Sequence, residues 1–140
     1  MSQENVELTY RAIDAFNRRD LDAYLALMDD DVEVVPRTGA MEGGSSYRGH
    51  DGVRRWWNNV FDVFPDWTIE VVEARDLGDL TFATTRVSGH GAGSTAPTDQ
   101  AIWMMARLRR GRCVWWGSFN TRAEALEAVE LSEQDAHADS

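Results

Sequence analysis

Two apolar runs joined by a short arginine-rich turn constrain the fold of this chain more than any other feature. The runs cover residues 101–108 and 113–119, and residues 109–112 between them read Arg-Arg-Gly-Arg. A glycine in a short turn between two apolar runs is typical of a β-hairpin. The residues after the second run have the spacing of a short amphipathic helix. The sequence therefore predicts two long antiparallel strands that turn at Gly111, and we expect them to form the floor of a fold that encloses something.

The length and charge of the chain limit the architectures that it can adopt. With 140 residues, 43% of them hydrophobic, the chain can build one substantial core but not two. Its net charge is −10, and six acidic residues but no arginine or lysine follow Arg122. We therefore predict one domain over residues 1–131 and an acidic, disordered tail over residues 132–140. The negative charge argues against a nucleic-acid partner.

Several kinds of chemistry are excluded by residues that the chain lacks. All fourteen basic residues are arginine, so a lysine Schiff base or lysine-bound pyridoxal phosphate is not possible. Cys113 is the only cysteine, and His50, His90 and His137 do not have the spacing of metal ligands. We therefore expect no cofactor and no metal. The first residues lack an apolar run, and no eighteen consecutive residues are apolar, so we expect a cytoplasmic protein without a membrane segment.

The apolar periodicity predicts the order of helices and strands. Ser2 and Asp20 are placed to cap two helices, of which the second closes at residues 29–31. Asp51 is placed to cap a third helix, which Pro65 ends. The remaining predictions are a strand over 32–35 stopped by Pro36, a glycine-rich loop over 37–48, strands over 68–75 and 80–90, and a connection over 89–97. The order α-α-β-α-β-β-β-β-α predicts an α+β domain with helices packed on one face of a curved antiparallel sheet.

Three local patterns indicate a known family. They are DLDAYLALM over 20–28 followed by VEV at 32–34, YRGHDGV over 47–53, and GRCVWW over 111–116 followed by TRAEAL at 121–126. With the element order, they resemble the SnoaL-like branch of the nuclear transport factor 2-like superfamily across residues 4–131. The resemblance implies a cone-shaped barrel: a strongly curved, mixed, mostly antiparallel sheet wrapped around three N-terminal helices, with a short C-terminal helix. It leaves the reaction open, because cyclases, isomerases, dehydratases, epoxide hydrolases and non-catalytic binders share this scaffold.

The resemblance also places the family's functional residues on positions of this chain. A catalytic aspartate of the polyketide cyclases corresponds to Met104, and a histidine of the preceding strand corresponds to His90. In relatives that resemble limonene epoxide hydrolase, a tyrosine, an asparagine and an aspartate correspond to Val34, Pro36 and Ser118. Of these positions, only His90 keeps the family's residue type. The resemblance therefore implies that neither known active site is complete.

Strand alternation predicts which side chains share the interior, because successive side chains of a strand point to opposite faces. The predicted interior group mixes apolar and polar residues, which is typical of a ligand pocket. Its members are Gln100, Ile102, Met104 and Ala106; Trp116, Ser118 and Asn120; and Phe82, Thr84, Arg86, Ser88 and His90. From the third helix, Trp56 and Phe61 are candidates to cover an aromatic substrate, although most of that apolar stripe is expected to be core.

The opposite face of the predicted hairpin is too apolar to be left in water. Its residues are Trp103, Met105, Trp115 and Phe119. We predict that a second copy of the chain covers this face and forms a homodimer. The arginines around the turn are expected to be solvated charges, since no aromatic residues interleave with them as in an RNA-binding face.

His90, Arg86 and Tyr47 are the candidate catalytic residues. Histidine exchanges protons near neutral pH, so His90 could act as acid or base; a structural role beside the glycine-rich connection is the alternative. Arg86 could hold a carboxylate or polarise a carbonyl, and an ordinary ion pair is the alternative. Asp99 is expected to point away from His90. Tyr47 could donate a hydrogen bond into the cavity or pack against the third helix.

Three functions stay open on this evidence. The first is a cofactor-independent enzyme that acts on a hydrophobic small molecule, with His90 moving a proton next to a carbonyl and Arg86 or Tyr47 stabilising the oxygen. The second is a non-catalytic protein that binds an apolar metabolite in the same cavity. The third is an interaction protein that works through its outer sheet surface, and it requires an interior without a cavity.

Overall fold

The computed structural model describes residues 2–35, 46–78 and 80–128. The elements are α1 (Ser2–Asn17), α2 (Leu21–Ala26), β1 (Met28–Val35), β2 (Tyr47–Arg48), α3 (Gly49–Val63), β3 (Thr68–Asp76), β4 (Leu80–His90), β5 (Pro97–Arg109), β6 (Arg112–Phe119) and α4 (122–128). No helix within these ranges is long and apolar enough to cross a membrane. The predicted tail over 132–140 and most of the predicted loop over 37–48 lie outside the described residues.

The six strands form one sheet in the order β2-β1-β6-β5-β4-β3. β1 and β6 pair in parallel, and the other neighbours are antiparallel. The predicted hairpin is formed by β5 and β6, and it turns at Arg110 and Gly111, whose φ angles are 53° and 75°. The predicted α+β fold with a curved, mixed, mostly antiparallel sheet is confirmed. The sheet stays open, with β2 and β3 as its edges.

The N-terminal helices cover one face of the sheet with their apolar stripes. α1 packs against β3, and α3 packs against β1. The core between them includes Phe16, Val53 and Trp57, which are 2%, 0% and 6% exposed. Asn17, the last residue of α1, also binds the sheet edge: its Nδ2 donates to the carbonyl of Ile69 at 2.8 Å, and its Oδ1 accepts from the Ile69 N–H at 2.9 Å. These contacts fix the end of α1 on β3.

The other face of the sheet is covered in part by the chain itself. Ala125 of α4 is 0% exposed and belongs to the same buried cluster as Met105, which is 1% exposed. Met105 is therefore already covered without a second subunit. Trp103, Trp115 and Phe119 are only partly buried against this cluster, and a dimer contact through them stays a prediction.

The second helix is shorter than predicted. α2 ends at Ala26 and β1 begins at Met28, so the three aspartates at 29–31 lie in a strand instead of closing the helix. β1 pairs with β6 at Met28 and again at residues 33–35, and the aspartates lie in the irregular stretch between these paired positions. Pairing on both sides therefore keeps the chain extended through residues of low strand propensity. The predicted cap is confirmed, since Asp20 Oδ1 accepts from the Ala23 N–H at 3.1 Å.

The third helix begins earlier than predicted. α3 starts at Gly49, and Asp51 lies in its first turn instead of at the cap position, which Arg48 occupies without a side-chain hydrogen bond. Residues 47–48, which were predicted as loop, pair with β1. The chain leaves this pairing through Gly49, whose φ of 71° lies in the left-handed region that favours glycine. This turn sets the helix start.

Candidate functional site

A cavity of about 380 Å³ lies between α3 and the helix-covered face of the sheet. Six of the predicted site residues line it: Tyr47, Trp56, Ile102, Met104, Trp116 and Ser118. The alternation predicted for β5 and β6 therefore holds at the cavity. An interaction protein with a filled interior was one of the three hypotheses, and this cavity contradicts it.

β4 presents to the cavity the face opposite to the predicted one. Its inward residues pair directly with inward residues of β5; the pairs are Ala83 with Met104, Thr85 with Ile102, and Val87 with Gln100. Directly paired residues of antiparallel strands project to the same side. Arg86 and His90 therefore face outward, and the prediction that they share the cavity was wrong. β4 carries apolar side chains on both faces, Val87 inward and Phe82 outward, so alternation alone does not identify the inner one.

Arg86 forms an ion pair on the outer face. Its Nε and Nη2 donate to Asp99 Oδ1 at 3.1 and 2.9 Å. Asp99 is paired with Ser88, so it lies on the same face as His90, contrary to the prediction. The alternative that the sequence left open for Arg86, an ordinary ion pair, is the contact that the structure contains.

His90 lies at the end of β4, outside the cavity. Asp66 Oδ1 accepts the backbone N–H of His90 at 2.7 Å, and Asp66 Oδ2 lies 2.7 Å from His90 Nδ1. The hydrogen bond to the imidazole, then the one to the backbone N–H, lower the pKa of Asp66 below its usual value. The His90 side chain is 46% exposed. These contacts favour the structural role that the sequence left as the alternative.

Three further predicted residues do not line the cavity. Phe61 is packed in the core, with its ring 4.9 Å from that of Phe16 and the Arg19 guanidinium 3.9 Å above it. Gln100 faces inward by its pairing, but it is exposed, as is Asn120, which follows the last residue of β6. The predicted substrate contacts of these residues are therefore not supported by their positions.

The polar groups at the rim of the cavity lie in β2 and along α3. Asn59 Nδ2 donates to Tyr47 Oη at 3.0 Å. Asp62, one turn further along α3, also lines the cavity. Sequence reasoning missed Asn59 and Asp62, although they follow Trp56 by three and six residues. The i, i+3 spacing of Trp56 with Asn59, and of Asn59 with Asp62, is the signal that could have found them.

Two aromatic pairs form walls of the cavity. The rings of Trp56 and Trp116 meet edge to face with centroids 5.0 Å apart. Phe64 stacks on Trp67 with centroids 4.2 Å apart. All four side chains line the cavity. Such walls suit a flat, apolar ligand.

The floor of the cavity has a thioether and a hydroxyl at the two positions where the family resemblance implied acids. Met104 and Ser118 pair directly across β5 and β6, and they are 5% and 8% exposed. Neither side chain can act as a carboxylate base. Within the described lining residues, Asp62 at the rim is the one carboxylate.

A family model described as a SnoaL-like domain matches residues 10–116. No curated protein matches the chain.

Solved structures share the fold over most of this chain. A protein with a ketosteroid isomerase-like fold from Catenulispora acidiphila, in complex with trimethylamine, has 16% identity and a TM-score of 0.73, covering 83% of this chain and 86% of that one. A proposed SnoaL-like polyketide cyclase from Jannaschia sp. has 18% identity and a TM-score of 0.74, covering 90% of each chain. IdmH, a proposed polyketide cyclase from Streptomyces antibioticus, has 21% identity and a TM-score of 0.72, covering 89% and 97%. At these identities the similarity establishes the fold.

Proposed function

The chain belongs to the SnoaL-like domain family, and from this premise we propose that it binds a flat, largely apolar small molecule between α3 and the sheet. The observation that carries the proposal is a cavity of about 380 Å³ with two aromatic pairs in its walls. Ligand pockets of proteins span roughly 300–1,000 Å³ and are mostly apolar, with a few polar groups that orient the ligand. The volume and the lining of this cavity fit that description.

The polar end of the ligand lies at the rim in this proposal. Tyr47 Oη accepts a hydrogen bond from Asn59, which leaves the phenolic proton of Tyr47 available for a ligand oxygen. Ser118 offers a second hydroxyl at the floor. The apolar part of the ligand packs against Trp56 and Trp116.

A second candidate function is cofactor-independent proton transfer on the bound molecule. It is favoured by the position of Asp62, the one carboxylate among the described lining residues, on the same rim as Tyr47. In this mechanism Asp62 removes a proton next to a carbonyl, and Tyr47 donates a hydrogen bond to the oxygen that gains charge. The cyclase and isomerase-like descriptions of the structural relatives agree with this chemistry. His90 and Arg86 take no part, because they face outward.

Tryptophan fluorescence tests the binding proposal, because three tryptophans, Trp56, Trp67 and Trp116, line the cavity. We expect naphthalene and 1-naphthol to change the emission saturably. Trp116→Ala removes one wall and should weaken binding by about tenfold or more. Trp115→Ala is the matched control, because the adjacent Trp115 faces the other side of the sheet, and it should change the affinity by less than about twofold. An equal loss in both variants would overturn the cavity as the binding site.

Hydrogen exchange in D2O separates an enzyme from a binder. The probe is 1-tetralone, a flat ketone whose α-protons report proton abstraction by nuclear magnetic resonance. If the protein is an enzyme, Asp62→Asn should slow the catalysed exchange by about 100-fold, while His90→Gln leaves it unchanged. Saturable binding without accelerated exchange would reject the enzymatic candidate and leave the binding proposal intact.

A further inference from the structure

A second, smaller cavity lies deeper in the domain, between α1 and the sheet. Its volume is about 40 Å³. Five residues line both cavities: Phe16, Trp56, Ile69, Met104 and Trp116. The unbranched side chain of Met104 has three rotatable bonds and adapts easily to new neighbours. One molecule can therefore extend from the larger cavity into the inner cavity if these side chains move.

Thr81 brings an unused hydroxyl to the inner cavity. Thr81 is 1% exposed and lines this cavity, and its Oγ1 is buried with no hydrogen-bond partner within the described residues. Its neighbour on the same face shows the contrast, since Thr85 Oγ1 donates to the Ile102 carbonyl at 2.8 Å. A buried hydroxyl without a partner is unfavourable. Thr81 therefore offers a donor and an acceptor that the fold itself does not use.

The other groups around the inner cavity are uncharged. Burial raises the pKa of the Tyr24 phenol, and it raises that of the Cys113 thiol to about 12. The thiol donates to the Trp115 carbonyl at 3.3 Å. The described lining residues include no aspartate, glutamate, arginine or histidine. A charged ligand group would lose its hydration there without a counter-charge, so the cavity suits a neutral group.

We infer that the inner cavity is a distal subsite for the uncharged hydroxyl or carbonyl end of an elongated ligand, with Thr81 as its hydrogen-bond partner. This inference rests on the proposed function, because the ring of the same ligand occupies the larger cavity. A water molecule occupies about 30 Å³ in the liquid, so the inner cavity has room for a group of one or two heavy atoms. The ligand class is a ring whose own polar group lies at the rim beside Tyr47, joined by a short apolar chain to a second, terminal oxygen at Thr81.

Two matched probes test this subsite. 4-Phenyl-1-butanol carries a ring, a chain and a terminal hydroxyl, and pentylbenzene replaces that hydroxyl by a methyl group. Their dissociation constants are measured by tryptophan fluorescence with the intact protein. The informative quantity is the preference, which is the affinity for the alcohol divided by the affinity for the hydrocarbon. In Thr81→Val this preference should fall by about fivefold or more relative to the unmodified protein.

Two further variants control the experiment. Thr84→Val makes the same change on the outward face of β4, where Thr84 pairs with Trp103, and it should leave the preference within about twofold. Ala106→Leu fills the inner cavity from its wall. It should weaken the binding of 4-phenyl-1-butanol by about fivefold. The affinity for toluene, which lacks the chain, should change by less than about twofold. Thermal unfolding verifies that each variant is folded.

The outcomes distinguish this inference from the proposed function. If toluene and naphthalene fail to bind, the proposed function fails, and this inference fails with it. If they bind but Thr81→Val leaves the preference unchanged, the subsite is wrong and the proposed function stands. A crystal structure of the 4-phenyl-1-butanol complex gives an independent readout: the alcohol oxygen within hydrogen-bond distance of Thr81 Oγ1 supports the subsite, and an alcohol oxygen at the rim beside Tyr47 overturns it.

Discussion

Asp66 holds His90 with both carboxylate oxygens: one accepts the His90 backbone N–H at 2.7 Å, and the other lies 2.7 Å from the imidazole Nδ1. Asp66 belongs to the short connection between α3 and β3, beside Phe64 and Trp67 of the cavity wall. A backbone hydrogen bond from the Ala92 N–H to the Val63 carbonyl, 2.7 Å long, joins the same two segments. The pair therefore fixes one wall of the cavity from outside.

The Asp66 pair should make stability depend on pH in the acid range. Hydrogen bonds from His90 lower the native pKa of Asp66, whereas an unfolded aspartate has a pKa of about 3.9. Ionised Asp66 therefore stabilises the native state above that value, and this stabilisation is lost as the pH falls through the lower native pKa. We expect Asp66→Asn to melt at a lower temperature than the unmodified protein near neutral pH, and the difference to shrink in strong acid.

Differential scanning fluorimetry across pH 2–8 measures this difference. Glu7→Gln is the control, because Glu7 is exposed on α1, and its melting curve should follow that of the unmodified protein at each pH. A constant difference between Asp66→Asn and the unmodified protein at all pH values would contradict the linkage.

The outward position of Arg86 and His90 makes a second prediction. Arg86→Ala removes an ion pair whose side chains are 51% and 60% exposed, and exposed ion pairs contribute about 0–1 kcal/mol. Neither Arg86→Ala nor His90→Gln should change the dissociation constant of 1-naphthol by more than about twofold. Fluorescence titrations of both variants measure it. A tenfold loss of affinity for 1-naphthol in His90→Gln would show that His90 contributes to the binding site.

Sequence patterns identified the hairpin because the residues that specify it are neighbours in the sequence. The residues at 109–112 join two apolar runs in a way that few other folds accommodate, and β5 and β6 have the predicted turn. The inward positions of Met104 and Ser118 followed from strand alternation, because only one face of these strands combines apolar with small polar side chains. Local pattern and tertiary structure agree in this part of the chain.

The inward face of β4 could not be derived in the same way. Its orientation is set by pairing with β5, which places Ala83 opposite Met104, and this register is a long-range property. The outward Phe82 is 8% exposed because it belongs to the cluster of α4, so both faces of β4 are partly apolar. The strand over the aspartates at 29–31 was not predicted for a related reason, since it depends on the pairing of residues on both sides of them with β6. The hydrogen bonds of Asn17 were not predicted because their partner, Ile69, is 52 residues away in the sequence.

The Asn17 side chain should be important for stability. It forms two hydrogen bonds with the backbone of Ile69, at 2.8 and 2.9 Å. Asn17→Ala leaves a partly buried N–H and C=O of β3 without these partners, which costs about 1–3 kcal/mol. Urea unfolding should show this loss in the free energy of unfolding. Asn58→Ala, at an exposed position of α3, should change it by less than about 0.5 kcal/mol, and equal effects of the two substitutions would contradict the role of Asn17.

The outer sheet face leads to the last prediction, which is a homodimer. Trp103, Trp115 and Phe119 remain only partly buried after α4 has covered Met105. Large aromatic side chains that a chain leaves half covered on a sheet face are typical of a subunit contact. We expect sedimentation equilibrium to give the mass of two chains, and Trp103→Glu to weaken the association by at least about tenfold, because a carboxylate would be desolvated at the contact.

A substitution at the sheet edge controls for charge. Val72 lies on the edge strand β3 and is 59% exposed, so Val72→Glu adds the same negative charge two strands away from Trp103 of β5. If the face is the contact, Val72→Glu keeps the mass of two chains while Trp103→Glu gives the mass of one. If only Val72→Glu dissociates the dimer, the contact lies at the β3 edge instead. A single-chain mass for the unmodified protein would reject the dimer.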